Sequence, residues 1–266
     1  MRNTIRNAVF AAVVMAAPGL AWGASCQDEY FKGVAPKLNT GAAIASSTRE
    51  ICFEAFALMH SSLTRTGVWS AEHLTSQEVR AARTLNRVDR FHEETSLPQA
   101  QRASTTDYTR SGFDRGHLTP SGDMPDMNAQ RESFTLANMA PQAPTLNRGL
   151  WEEIEETARD MAERDGEIYV VTGPIFGVNP QTLNGRVAVP TGFYKAIYNP
   201  RTHEAGAYVA MNVSNANYQI VSLTKLRDMA GVDVFPSLPL MTKMRAADLP
   251  TPVRARLASN AGGGLE

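Results

Sequence analysis

The 266-residue chain has only two cysteines, Cys26 and Cys52, and five histidines. A framework of several disulfides is excluded, and so is a zinc module built on repeated Cys-x-x-Cys pairs. There is no His-Glu-x-x-His motif and no Gly-x-Ser-x-Gly elbow, so the usual signals of a zinc protease and of a serine hydrolase are missing. No Gly/Ser/Pro-rich linker interrupts the middle of the chain, and no internal repeat is visible. A single domain over 24–266, with its core at about 50–240, is the expectation. Charge of one sign is also missing, since 26 Lys and Arg face 27 Asp and Glu. Composition alone therefore gives no sign of a polyanion-binding surface. What the chain does have is a 43% hydrophobic content with 20% charged residues, a balance that excludes disorder.

The first 23 residues read as a removable leader. Arg2 and Arg6 give a positive start, an apolar run covers Ala8 to Ala17, and small residues at Ala21 and Gly23 suit a signal peptidase. The apolar run is too short to span a bilayer, so no membrane anchor is expected in the mature chain. This pattern predicts export, to the periplasm or the medium. Loss of the leader takes the formal net charge from −1 to −3. In an oxidising compartment a lone cysteine pair forms a disulfide, so Cys26 and Cys52 are expected to tie the mature N-terminus to the first strand.

Periodicity then gives the elements. Ile51 to His60 reads as a strand with a turn after it, and Thr66 to Leu74 as a second strand paired with it. Thr75 to Tyr108 is polar and irregular, which predicts loops. Arg148 to Arg164 has helical spacing, with Trp151, Ile154, Ala158 and Met161 on one face and Gly166 as the stop. Glu167–Gly173, Val187–Tyr198 and Ala205–Val213 read as further strands. Ser222 caps a short helix that ends near Gly231. This order gives an α+β fold, with a mostly antiparallel central sheet and flanking helices.

Individual residues carry little on their own. His117 lies between Gly116 and Leu-Thr-Pro, at a strand end or in a loop. A histidine there can deprotonate water, although a single histidine is more often a packing or surface residue. Arg115, two positions earlier in an extended segment, shares its face. Asn138 sits in a strand-like run, Phe134 to Gln142, that breaks at Pro141. Asn147 stands at the mouth of a helix, where an amide is either a cap or a hard-oxygen ligand for Mg²⁺. Glu155 lies two turns further in, as a solvated acid, as a partner of Arg148 or Arg159, or as part of a site.

The order and spacing of these segments change their weight. Asp114-Arg115-Gly116-His117 is followed by Asn138-Met-x-Pro-Gln142, Leu146-Asn147-Arg148 and Trp151-x-x-Ile154-Glu155. Asn147 and Glu155 lie 30 and 38 residues beyond His117. This set resembles the DNA/RNA non-specific endonuclease family, a branch of the ββα-metal (His-Me finger) nucleases, and the resemblance runs from about Thr66 to Leu238. It implies a ββα-metal finger in which His117 is the general base and Asn147 the single direct ligand of Mg²⁺, with Mn²⁺ an acceptable substitute. It further implies that Glu155 holds the waters of the metal, that Asn138 supports the site and that Arg115 faces phosphate. Asp114 would orient backbone. An upstream catalytic arginine four residues before Phe91 selects Arg87, with Arg90 the competing choice. Arg83, Arg87, Arg90, Arg110, Arg115 and Arg148 could form the local positive cluster that overall charge lacks.

The resemblance implies hydrolysis of DNA and RNA through phosphate contacts, 5′-phosphate ends and strong salt dependence of binding. Its alternative is an inactive nuclease fold kept for nucleic-acid binding. An inhibitor protein or a homodimer is left open.

Overall fold

The computed structural model describes residues 26–39 and 46–252. The leader expected over 1–23 and the glycine-rich tail at 262–264 lie outside the described residues.

The chain opens with β1 (Lys37–Leu38) and an antiparallel meander of β2 (Thr48–Cys52), β3 (Ala57–Ser61) and β4 (Thr66–Thr75). Next come α1 (Ser76–Ala82), β5 (Asp114–His117), α2 (Met127–Ser133) and β6 (Met139–Gln142). A π-helical turn at Leu146–Trp151 feeds α3 (Glu152–Asp165) and then β7 (Glu167–Ile175). The small hairpin β8 (Thr182–Leu183) and β9 (Val187–Ala188) precedes the long pair β10 (Gly192–Asn199) and β11 (Glu204–Met211). β12 (Tyr218–Val221), α4 (Leu223–Ala230), β13 (Val232–Asp233) and α5 (Leu240–Met244) complete the order.

The main sheet runs β12-β11-β10-β7-β4-β3-β2, with each neighbour antiparallel. Its strands bury both faces, and alternate residues feed two cores. On one face Leu58, Leu74, Val170, Phe193 and Ile197 meet Trp151, Ile154, Ala158 and Met161. The three- and four-residue steps of α3 put these apolar side chains on one stripe. On the other face Trp69, Ala71, Val171, Tyr194 and Ala196 meet Tyr30, Leu226, Val234 and Phe235. The fold is the expected α+β type with an antiparallel sheet. Cys26 and Cys52 are joined as a disulfide, with Cα atoms 5.2 Å apart, which ties the segment before β1 to the end of β2.

Several elements differ from expectation. Ile51 to His60 is not one strand, since the chain turns through 53–56 between β2 and β3. The expected Val187–Tyr198 strand is split into β9 and β10 around Pro190, which can donate no ladder hydrogen bond. The polar stretch after Thr75 contains α1, whose start is a capping box: Glu78 N donates to Thr75 Oγ1, and Thr75 N donates to the Glu78 carboxylate. The Thr-x-x-Glu spelling was the missed signal. Phe134 to Gln142 is not strand throughout. Leu136–Asn138 is a 3-10 turn, and Pro141 lies inside β6 instead of ending it. β5 and β6 form a separate two-stranded ribbon, where a proline is tolerated at an edge.

Candidate active site

β5 and β6 lie antiparallel with Gly116 opposite Ala140 and His117 opposite Met139. Gly116 is needed for this approach: a Cβ there would lie 2.7 Å from Gln142 Cβ and closer still to its amide oxygen. Past His117, Leu118 N donates to Asn138 O. Asn138 is fully buried. Its Oδ1 accepts from Thr119 N at 3.0 Å, and its Nδ2 donates to Thr119 O and Ser133 O at 2.8 and 2.9 Å. All three contacts are to backbone, so Asn138 fixes the loop beyond His117 from behind. It does not line the cleft.

The cleft itself has a volume of about 660 Å³, and Arg87, Asp114, Arg115, His117, Asn147, Arg148 and Glu155 are among the residues that line it. Five of the six expected site residues are thus brought to one cavity. Arg90 is not among the lining residues, whereas Arg87 is, and Arg87 lies over the Phe134 ring at 5.2 Å. Of the arginines expected to cluster, Arg83 is elsewhere, paired with Glu156, Asp160 and Glu163 between α1 and α3. Arg90 and Arg110 also fall outside the lining, and Arg159, which was not expected, joins it.

His117 packs edge-on against Phe134, with ring centroids 5.0 Å apart. Its Nε2 is buried without a hydrogen-bond partner. His117 also lines the cleft. Burial, reinforced by the nearby Arg87 charge, lowers its pKa to about 3. The imidazole is therefore neutral across the physiological range, with a lone pair available.

Asn147 sits on the π-helical turn, where Gly149 departs from helical backbone at φ −134°, ψ −109°. Its Nδ2 donates to Asp114 Oδ2 at 2.9 Å. A carboxylate only accepts hydrogen bonds, so this contact settles which end of the amide is which and leaves the carbonyl oxygen for a ligand. Arg148 clamps the same carboxylate through Nε and Nη2 at 2.8 and 2.6 Å. Burial pulls the Asp114 pKa up, but the hydrogen bonds from Arg148 and Asn147 outweigh it and hold the group below the ordinary carboxylate range. Asp114 therefore orients a side chain, the Asn147 amide, and not backbone as expected.

Glu155, on the first turns of α3, has its pKa raised to about 7 by burial, against the opposing charges of Lys195 and Arg159. Arg159 is not its direct salt-bridge partner. Its Nη1 donates to buried Asp123 at 2.6 Å and its Nε to Glu156 at 2.8 Å. Lys195 is fully buried under the site and donates to Thr172 Oγ1 at 2.7 Å. Glu72, also buried, faces the same group of charges. Sequence spacing gave no hint of Lys195 or Glu72, which reach the site from strands distant in the chain, or of Asp123, which lies just past His117 but outside the motifs. Arg159 was legible: it lies one helical turn beyond Glu155, on the same face.

Arg115 lies over the rings of Phe91 and Tyr108 at 4.9 and 5.7 Å, and its Nη2 donates weakly to Thr105 O. Its Nε is buried and unpartnered. Its guanidinium thus lies against two aromatic rings with donors to spare.

The family model for DNA/RNA non-specific endonuclease matches residues 34–241. The chain belongs to this family. Nuclease C1 of Cunninghamella echinulata var. echinulata is 31% identical over 232 residues, covering 79% of this chain and 90% of that protein. The mitochondrial endonuclease G of Caenorhabditis elegans is 32% identical over 208 residues, covering 70% and 68%. Other relatives are longer: the match spans 60% of the mitochondrial nuclease EXOG of Danio rerio, at 34% identity. Among solved structures, the EndoG/EndoGI complex contains a chain that superposes with a TM-score of 0.65 and 27% identity, over 73% of this chain and 88% of that one. These relatives show the chain to be a nuclease of a metal-dependent family.

Proposed function

We propose that the chain is an exported endonuclease that hydrolyses phosphodiester bonds of both DNA and RNA with a single divalent cation, Mg²⁺ or Mn²⁺. The observation that carries this reading is the convergence of His117, Asn147, Glu155, Arg87 and Arg115 on one cleft from three separate segments of the chain.

Asn147 and Glu155 fit a cation. The Asn147 carbonyl oxygen is left open by the Asp114 contact, and Glu155 offers a carboxylate in the same cavity. Oxygen donors of this kind suit a hard ion that keeps several of its waters. When bound, the cation would neutralise charge that develops on the scissile phosphate and its leaving oxygen. His117 takes the proton from the attacking water, which adds to phosphorus in line with the 3′ oxygen; the P–O3′ bond breaks, solvent water protonates the 3′ oxygen, and the phosphate stays on the 5′ end. Arg87 and Arg115 place charged donors on the phosphate oxygens. None of these groups reads a base, so both sugars are accepted and binding weakens with salt. The disulfide and the leader-like first 23 residues support export. Cleavage of supercoiled plasmid and of structured RNA, with Mg²⁺ and with excess EDTA, tests the proposal. Degradation of both with Mg²⁺ and of neither with EDTA is expected; cleavage that survives EDTA would refute metal dependence.

A further inference from the structure

Asn212 follows β11, the strand between β12 and β10, and its side chain reaches the ribbon that carries His117. Its backbone N–H donates to Thr191 O at 2.9 Å, which fixes it to the entry of β10. Its side chain is fully used. Oδ1 accepts from Ala143 N at 2.8 Å, and Nδ2 donates to Pro141 O at 3.0 Å and to Pro190 O at 2.9 Å. The segment held this way lies between β6 and the π-helical turn. Ala143 is the next link, because its carbonyl accepts the backbone N–H of Asn147 at 2.9 Å. Pro141 sits opposite Arg115 in the ribbon, so the same amide also braces the strand pair that ends on His117.

We propose that Asn212 is a positioning residue, the bracket that sets the Asn147 backbone against the main sheet and so fixes the place of the Asn147 carbonyl oxygen in the cleft. The inference rests on the reading of Asn147 as the metal ligand. Only a primary amide supplies one acceptor and two donors in this arrangement. Without it, the Ala143 N–H and two proline carbonyls lose their partner, and the turn carrying Asn147 keeps its buried Leu146 and Trp151 and the Asp114 contacts but loses this polar tie to the sheet. A small displacement of a ligand-bearing segment is enough to weaken a site.

The test is Mn²⁺ affinity by isothermal titration, with circular dichroism to verify folding. The proteins are the parent, N212A, N212D, N147A and V234A. N212D keeps the size of the side chain and its acceptor but places oxygen against two carbonyls. V234A removes core volume on the opposite face of the sheet and serves as a control for lost stability alone. N212A and N212D are expected to bind Mn²⁺ about tenfold more weakly, in the range found when supporting residues of metal sites are removed. Their kcat should fall while KM for plasmid stays within about twofold of the parent. V234A should keep the parent affinity. Folded N212A and N212D that bind Mn²⁺ as the parent does, while N147A does not, would overturn the role of Asn212. Parent-like affinity in N147A would instead overturn the assignment of Asn147, and the inference with it.

Discussion

At the scale of single residues, the site works by commitment of one atom so that another is free. Asp114 occupies the Asn147 amide nitrogen and leaves its oxygen. Arg87 and Arg90, three residues apart, part company in the same way, since only Arg87 borders the cleft. R87A should lower kcat/KM for plasmid about 100-fold, the cost of one transition-state donor, and R90A should stay near the parent value. The reverse ranking in steady-state rates would move the role to Arg90. Glu155 shows what such a site costs. Its pKa is raised to about 7 by burial, above the ordinary value of 4.5. A raised folded pKa means the group's contribution to stability is fully present below about pH 4.5 and is lost as pH climbs to about 7. In the metal-free protein E155Q removes that loss and should be more stable than the parent at pH 8 by on the order of 1 kcal/mol, while cleavage collapses. Thermal unfolding of the two at pH 4.5 and 8 checks the sign; a destabilised E155Q at pH 8 would contradict it.

At the scale of elements, the ribbon β5–β6 and the turn into α3 do the placing. Gly116 permits the two strands to close, and Gly67 permits β4 to approach the segment beyond His117: a Cβ there would lie under 3 Å from both Leu58 and Leu118. G116A should cost about 1–3 kcal/mol of stability through overpacking against Gln142 and should depress activity together with it. Parent-like melting and cleavage would show the ribbon to be more compliant than the contact distances imply. How far the elements could be read from the sequence follows the same physics. α3 was legible because its apolar residues recur at helical steps, and β7 because a buried strand holds a run of apolar residues. The ribbon was not: four residues per strand, one a proline, give no period to detect. α1 was hidden by its polar exposed face, although its capping box was spelled out. The candidate site was legible as motifs in order, but not its undercarriage. Lys195, Glu72, Asp123 and Asn212 matter through contacts that only the fold creates.

At the scale of the whole molecule, near-neutral charge and a phosphate-binding role are reconciled by location. Arg87, Arg115, Arg148 and Arg159 line one cleft, while Arg83 is spent on holding α1 to α3. The Cys26–Cys52 bridge staples the N-terminal segment to the sheet at an edge far in sequence from the site. By the chain-entropy account, a loop of this size is worth about 3 kcal/mol to stability. No described helix is long and apolar enough to cross a membrane. The same fold thus combines a seven-stranded sheet with the separate two-stranded ribbon that carries His117. The account depends most on the claim that His117 is the base that drives cleavage. The direct test is the single-turnover rate of plasmid cleavage by the parent and by H117A with Mg²⁺ present, with both shown to be folded and to bind Mn²⁺ equally. The account predicts a loss of about 100- to 10,000-fold in H117A. A folded, metal-binding H117A that cleaves at the parent rate would contradict it.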